Sequence, residues 1–264
     1  MVDIISVGGI ENRLSTSLKS KLNITVKACS ESTNNDVKSL ARSGEPEGRV
    51  VVACAQTEGK GRLGRSFYSP DGTGVYMSVL LRPQLSPADV PLITTAAAVA
   101  VCIALEKAGV MDCGIKWVND IYIGDKKVCG ILAESGFNAD GGVDYVVLGI
   151  GLNVYPPEGD FPAEIKDIAG AVFGNEQADI RNVLIGEILN SFFDIYSTIT
   201  SRDHVEEYKK RCFLYGREVD VIVGDSIRRA TVMGLDHSCG LQIEYDNGER
   251  ATLTSGEVSL KLAK

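Results

Sequence analysis

The stretch "EGKGRLGRSF", residues 58–67, places three glycines and three cationic side chains within ten positions of a chain whose formal net charge is −8. Glycine lets backbone approach a ligand with no Cβ in the way. Lys60, Arg62 and Arg65 add an ammonium and two guanidinium forks, which suit phosphate or carboxylate oxygens. A second stretch, "KWVNDIYIGDKKV" at 116–128, brings the only tryptophan together with Lys116, Asn119, Asp120, Lys126 and Lys127.

Several other chemistries fail on context. "GKGRLG" has the spacing GxGxxG, but a dinucleotide site needs the third glycine to open a helix and an acidic residue about twenty positions on. Here "RSFYSPDGTG" follows, a turn-rich stretch that leads into a strand, and "LLRPQL" lies where the acidic residue belongs. No GxxxxGK[ST] occurs, and Ser66 stands where a kinase-type loop has valine. The seven cysteines are widely spaced with no CxxC pair, and there are only two histidines, so neither a zinc site nor a Cys–His nucleophile is expected. The thiols read as small buried hydrophobes of a reducing compartment. The acidic balance, 35 Asp plus Glu against 27 Lys plus Arg, disfavours general binding to a polyanion.

The elements that position these residues follow from pattern. "LNITVKAC" predicts a strand, and "SESTNND" supplies capping residue types for a helix entering near Val37. The nearly continuous apolar run of "GRVVVACAQT" predicts an interior strand, and "GVYMSVLLRP" a third, so the glycine loop joins strand to strand. Residues 91–108 predict a helix ending at Gly109, and its interruption by threonines and closure by Glu106 and Lys107 favour a buried core helix over a membrane span. Short strands are expected over 114–135, with a turn at Gly124-Asp125, and a buried strand over 143–155. Residues 155–178 read as a surface excursion with one short helix, and 179–200 as an amphipathic helix behind Asp179 as N-cap. A further helix is expected over 201–214. From Gly216 the texture changes to five short alternating strands, with "DNG" at 246–248 as a hairpin turn, which predicts a small barrel. Two domains are expected, 1–213 and 214–264. The N-terminus carries no basic segment followed by a long apolar stretch, and the expected location is the cytoplasm.

Taken in order, "ESTN" at 31–34, "AQTEGKGR" at 55–62, the KWVND segment, "GLNV" at 151–154 and "SGEVSL" at 255–260 resemble the biotin protein ligases, from about residue 26 to the C-terminus. The resemblance implies a mixed-sheet α/β catalytic domain related to class II aminoacyl-tRNA synthetases, followed by an SH3-like barrel. It implies an enzyme that activates biotin with ATP to biotinyl-5′-AMP and passes the acyl group to a lysine of a biotin carboxyl carrier protein. No membrane partner is expected, and a homodimer is compatible with it. About 25 residues precede the first strand, too few for a helix-turn-helix unit with its linker, so direct DNA binding is not expected.

Carried over residue by residue, the resemblance makes Ser32, Thr33, Asn34, Gln56, Lys60, Gly61, Arg62 and Lys127 the biotin contacts, with Lys127 and Arg62 catalytic. Gly59, Gly61, Gly64, Arg65, Asn119 and Asn153 are the expected ATP and phosphate contacts. Asp120, with Asn119 beside it, is the expected place for Mg²⁺. Ser32, Thr33 and Asn34 also have the chemistry of helix caps, and Arg65 that of a solvated edge residue. Trp117 is expected in the core. Two positions depart from the family pattern: Lys60 stands for arginine, keeping charge without the fork, and Val118 for proline, a change expected to alter only backbone stiffness. The glycine loop is expected to close over its ligand and exclude water. A lipoate or octanoate ligase or transferase, and a non-catalytic ligand-binding relative, share the fold and stand as alternatives.

Overall fold

The computed structural model describes residues 3–254 and 258–262. Two short helices, α1 (Val7–Glu11) and α2 (Thr16–Lys19), open the chain. A seven-stranded sheet follows, built from β1 (Asn23–Ser30), β2 (Arg49–Gln56), β3 (Gly74–Leu81), β4 (Cys113–Lys116), β5 (Asp120–Ile123), β6 (Lys126–Phe137) and β7 (Val143–Asn153). Its spatial order is β1-β2-β3-β7-β6-β5-β4; β1 runs parallel to β2 and every other neighbouring pair is antiparallel, so the sheet is mixed.

Helices cover both faces of this sheet, which explains the apolar runs of β2, β3 and β7. On one face α3 (Thr33–Arg42) sets Val37 and Ala41 against Val51, Leu80 and Val147. On the other, Val50, Val52, Met77, Val79 and Ile150 join the main core with α4 (Pro91–Lys107) and α5 (Ile180–Ser197). Strands buried on both faces lose the polar/apolar alternation of one-sided strands. Helix α4 is the central core helix, buried along Leu92–Leu105 except at Ile103.

After α6 (His204–Arg211), β8 (Glu218–Val223), β9 (Ser226–Leu235), β10 (Leu241–Tyr245), β11 (Arg250–Leu253) and β12 (Val258–Leu262) form an antiparallel sheet in the order β11-β10-β9-β8-β12. The turn at 246–248 joins β10 to β11, with Gly248 at φ 81°. Val219, Val221, Val232 and Ile243 belong to the same core cluster as the large sheet.

Three local expectations are corrected. Helix α3 begins at Thr33, not near Val37, because Ser32 already takes the extended N-cap conformation. No helix forms within 155–178; isolated turns there are closed by bonds such as Ala169 N to Ile165 O, and the segment instead lies along β6 and β7 through Lys127 N to Ile168 O and Val172 N to Asn153 O. Asp179 occupies the N-cap of α5 but does not cap it: its φ is 60°, and its carboxylate pairs with Arg13 and Asn182.

Candidate active site

The glycine loop is a hairpin. Phe67 N donates to Gly59 O (2.8 Å), Gly61 N to Arg65 O (2.7 Å), and Lys60 bridges Ser66. Gly64 turns the tip at φ 73°, a left-handed conformation that glycine adopts without penalty. Arg62, just before the tip, points back: its Nη1 donates to Asn119 Oδ1 at 3.1 Å.

Asn119 is itself fixed from β6. Its Nδ2 donates to Ile131 O (2.9 Å) and Ile131 N returns a bond to Asn119 O (3.0 Å). The residues before it are held by later parts of the chain. Trp117 is buried, and its Nε1 donates to Cys239 O in the β9–β10 turn at 2.8 Å, while Tyr208 Oη of α6 donates to Val118 O at 3.1 Å. The Trp117–Val118 peptide is cis. Lys127 is anchored through backbone bonds to Ile168 and Gly170, and its Nζ lies 2.7 Å from Asp120 Oδ1.

These elements enclose a cavity of about 140 Å³. Five cationic side chains line it, Lys60, Arg62, Arg65, Lys116 and Lys127, against one carboxylate, Asp120. Burial lowers the Arg62 guanidinium from its ordinary value, and the Asp120 carboxylate opposes that effect. A guanidinium so far above neutral pH stays charged regardless.

A narrow slot of about 20 Å³ adjoins the cavity, sharing Lys60, Phe67, Gly130 and Leu132 with it. One edge is polar. Gln56 Oε1 accepts from Thr33 N (2.9 Å) and Thr33 Oγ1 (3.1 Å), and its Nε2 donates to Ser69 Oγ (3.0 Å). Asn34 Nδ2 donates to Glu134 Oε2 at 2.9 Å. Burial opposes ionisation of Glu134, but its bonds from Lys38 and Asn34 outweigh it and hold the carboxyl below its ordinary value. The other wall is a strand floor on which Gly130, Gly149 and Gly151 leave room beside Met77, Leu132 and Ile150. A Cβ at Gly149 would sit 2.1 Å from Asn34 Oδ1, one at Gly151 2.7 Å from the Phe67 ring, and one at Gly130 3.3 Å from both Phe67 and Lys127 Nζ.

The structure therefore gathers Ser32, Thr33, Asn34 and Gln56 in the slot, Gly61, Arg62, Arg65, Asn119, Asp120 and Lys127 around the cavity, and Lys60 in both. Ser32 stands at the N-cap of α3 yet makes no side-chain cap bond, so capping does not account for its hydroxyl. Three expected phosphate contacts fall outside both linings. Gly59 is packed beneath the hairpin, where a Cβ would meet Phe67 O at 2.4 Å; Gly64 is the turn residue; and Asn153 spends its amide on Gly170 O at 3.0 Å. Residues 255–257 of "SGEVSL" lie outside the described residues.

Sequence reasoning missed Ser78, fully buried on β3, whose Oγ lies 2.6 Å from Asn34 Oδ1 and 2.8 Å from Thr33 Oγ1. It also missed Glu134, Phe67 and the strand glycines. The signals were there: a lone serine inside "GVYMSVLL", and glycines at 130, 149 and 151 inside strands, where glycine weakens the ladder and marks close approach of another group.

Among the described residues no group of three or more His, Cys, Asp or Glu side chains is placed to hold a metal. Among the described residues Asp120 is the single carboxylate facing the cavity, and it fits a Mg²⁺ that arrives with phosphate oxygens, not a cage of protein ligands.

Comparison with known proteins agrees with this geometry. Residues 26–153 match the model of the biotin/lipoate A/B protein ligase family, and residues 214–261 match that of the biotin protein ligase C-terminal domain. The chain belongs to the biotin/lipoate A/B protein ligase family. Within it, the bifunctional ligase/repressor BirA of Bacillus subtilis is 37% identical over 215 residues, covering 81% of this chain and 64% of that protein, so the chain spans just under two thirds of this relative. The biotin protein ligase of Aquifex aeolicus in complex with biotin and ATP has the same fold, with a TM-score of 0.72 at 27% identity over 91% of this chain and 99% of that one. The Leishmania major ligase in complex with biotinyl-5-AMP gives 0.57 at 26% identity over 88% and 99%.

Proposed function

We propose that this protein joins biotin to ATP, forming biotinyl-5′-AMP and pyrophosphate, and transfers the biotinyl group to a lysine of a biotin carboxyl carrier protein. The observation that carries this is the cavity with five cations against one carboxylate, opening onto a slot edged by Ser32, Thr33, Asn34 and Gln56. Match of residues 214–261 to a biotin ligase C-terminal domain favours biotin over lipoate. On this reading the division at residue 214 separates a catalytic domain of class II synthetase type from an SH3-like barrel.

Biotin's ureido ring carries paired donors and acceptors and its valeryl chain ends in a carboxylate. The slot supplies amide and hydroxyl partners for the ring, and the ring's chain then runs past Phe67 and Gly130 toward Lys60, Arg62 and Lys127. A biotin carboxylate oxygen attacks the α-phosphorus, the α–β bridge breaks, and pyrophosphate leaves. The reactants are both anionic, so cations fixed before binding stabilise the charge where it accumulates. Asn119 keeps Arg62 aimed at that point. Lys127, now 2.7 Å from Asp120, is placed to meet phosphate oxygens, and Asp120 with Asn119 beside it would hold a Mg²⁺, which would neutralise further phosphate charge. In the second step the neutral lysine amine of the carrier attacks the acyl carbon, the bond to the AMP oxygen breaks, and the amine loses a proton. No protein nucleophile enters either step.

Transfer is tested by incubating the protein with biotin, MgATP and a purified biotin carboxyl carrier domain and measuring the intact mass of the carrier. Gain of one biotinyl group, lost when the acceptor lysine is replaced by arginine, is expected. A carrier that remains unmodified under saturating substrates overturns the proposal.

A further inference from the structure

Along the polar edge of the slot a chain of bonds runs from Glu134 on β6 through Asn34 and Ser78 to Thr33 and Gln56. Asn34 Nδ2 donates to Glu134 Oε2 at 2.9 Å, Ser78 Oγ lies 2.6 Å from Asn34 Oδ1 and 2.8 Å from Thr33 Oγ1, and Thr33 Oγ1 lies 3.1 Å from Gln56 Oε1. Ser78, Thr33 and Asn34 are buried, so the side chains themselves must account for each proton. An ionised carboxylate only accepts, which turns the Asn34 NH2 to Glu134 and its oxygen to Ser78. A hydroxyl has one proton, and Ser78 spends its own on Asn34 Oδ1. Ser78 Oγ therefore accepts from Thr33, whose single proton serves Ser78 at the shorter distance and Gln56 Oε1 at the longer. At the far end Ser69 Oγ donates to Phe67 O at 2.9 Å and accepts from Gln56 Nε2 at 3.0 Å, which leaves Gln56 Oε1 facing Thr33.

We infer that Glu134 is the positioning residue that makes this edge of the slot an acceptor for ligand N–H groups, and so selects a ureido ring; the inference rests on the biotin reading above. A ring N–H that reaches Gln56 Oε1 displaces the longer Thr33 contact. The Thr33 proton stays with Ser78, and Thr33 Oγ1 is left as a second acceptor. An acid without N–H donors, such as lipoate or octanoate, gains nothing from either oxygen. Glu134 lines neither cavity nor slot and acts through Asn34. Burial opposes its ionisation, but the bonds from Lys38 and Asn34 outweigh burial and keep the acceptor-only form present at neutral pH.

Without the charge the order can reverse. In Glu134→Gln the new amide accepts from Asn34 as readily as it donates to it, so Asn34 can present its NH2 to Ser78. The Ser78 proton then turns to Thr33, and the Thr33 proton to Gln56 Oε1, where it competes with the ligand. The double variant Glu134→Gln/Asn34→Asp puts the acceptor-only group at position 34 and restores the original order. Lys38→Met removes the 2.8 Å ion pair but leaves the carboxylate that orients Asn34.

The test is calorimetric titration of the full chain with biotin, beside steady-state ATP–pyrophosphate exchange and melting temperatures. Glu134→Gln is expected to weaken biotin binding about tenfold, the loss of one hydrogen bond, and to raise the KM for biotin equally, with kcat and the KM for ATP within about twofold of the wild type. The double variant is expected to recover most of the affinity, and Lys38→Met to keep it. With a wild type that binds biotin, three results each overturn the inference alone: unchanged affinity in Glu134→Gln, no recovery in the double variant, or equal weakening in Lys38→Met and Glu134→Gln. A wild type that binds no biotin overturns the biotin reading, and this inference with it.

Discussion

Arg62 Nη1 and Asn119 Oδ1 are 3.1 Å apart, and this bond ties the tip of the glycine hairpin to the turn between β4 and β5. Two stretches separated by fifty-odd residues of sequence thus share one cavity wall. Asn119 is held by both bonds to Ile131, so the guanidinium is aimed before any ligand arrives. Pre-aimed charge needs little reorganisation when a phosphate reacts.

Replacing that guanidinium separates catalysis from folding. Arg62→Ala is expected to lower biotin-dependent ATP–pyrophosphate exchange by about 10²–10³-fold, the range for loss of one preorganised electrostatic contact. Asn119→Ala, which leaves the charge but not its aim, is expected to lie between that variant and the wild type. Thermal unfolding measured beside the exchange rates is the control. A fall in melting temperature that parallels the loss of activity contradicts the assignment.

The glycine floor of the slot gives a contrast between two alanine variants. Gly149→Ala drives a Cβ to within 2.1 Å of Asn34 Oδ1, and overpacking of this kind costs about 1–3 kcal/mol. Biotin affinity measured by calorimetry is expected to fall at least tenfold, about 1.4 kcal/mol. Gly61→Ala meets only Arg65 O at 3.3 Å, and its melting temperature is expected to stay within about 0.5 kcal/mol equivalent of the wild type. Any loss of affinity in that variant then reports the ligand's approach to the loop backbone.

Stability should respond to pH through His204. Burial lowers this imidazole to about 4 from 6.5, against the Asp203 charge and a bond to the Leu92 backbone, and the ring also lies 3.1 Å from Thr95 Oγ1. The fold favours the neutral ring, so its contribution is complete above pH 6.5 and is lost as pH falls toward 4. The loss amounts to at most about 3 kcal/mol over that window. Urea unfolding at several pH values is expected to show this slope in the wild type and a shallower one in His204→Leu. Equal slopes contradict it.

Trp117 couples the two sheets. Trp117→Phe keeps the ring but removes the donor to Cys239 O, and a buried carbonyl left without a partner costs about 1–3 kcal/mol. A lower melting temperature and faster proteolysis between α6 and β8 are expected. Unchanged values for both would show that the bond does not fasten the C-terminal sheet.

Much of this site was legible because its chemistry is written in contiguous residues. Lys60, Arg62, Asn119, Asp120 and Lys127 stand in two short stretches, and strand-loop-strand geometry around them followed from apolar runs. What stayed hidden depends on distant pairing. Ser78 is one hydroxyl in an apolar strand until β3 is seen beneath α3, and Glu134 is an ordinary carboxylate until Lys38 and Asn34 of α3 meet it. Asn153 depends on distant pairing too: its motif neighbours the site in sequence, and its amide donates to Gly170 O outside both linings. The missing helix in 155–178 reflects a segment whose backbone bonds go to β6 and β7.

The most direct measurement is ATP–pyrophosphate exchange by the purified protein with Mg²⁺, run in parallel with biotin, lipoate and octanoate. Exchange dependent on biotin and absent with the other two acids is the expected result. Exchange with lipoate or octanoate and none with biotin would contradict the assignment of the slot to the ureido ring, and no exchange with any acid would contradict the activation chemistry itself.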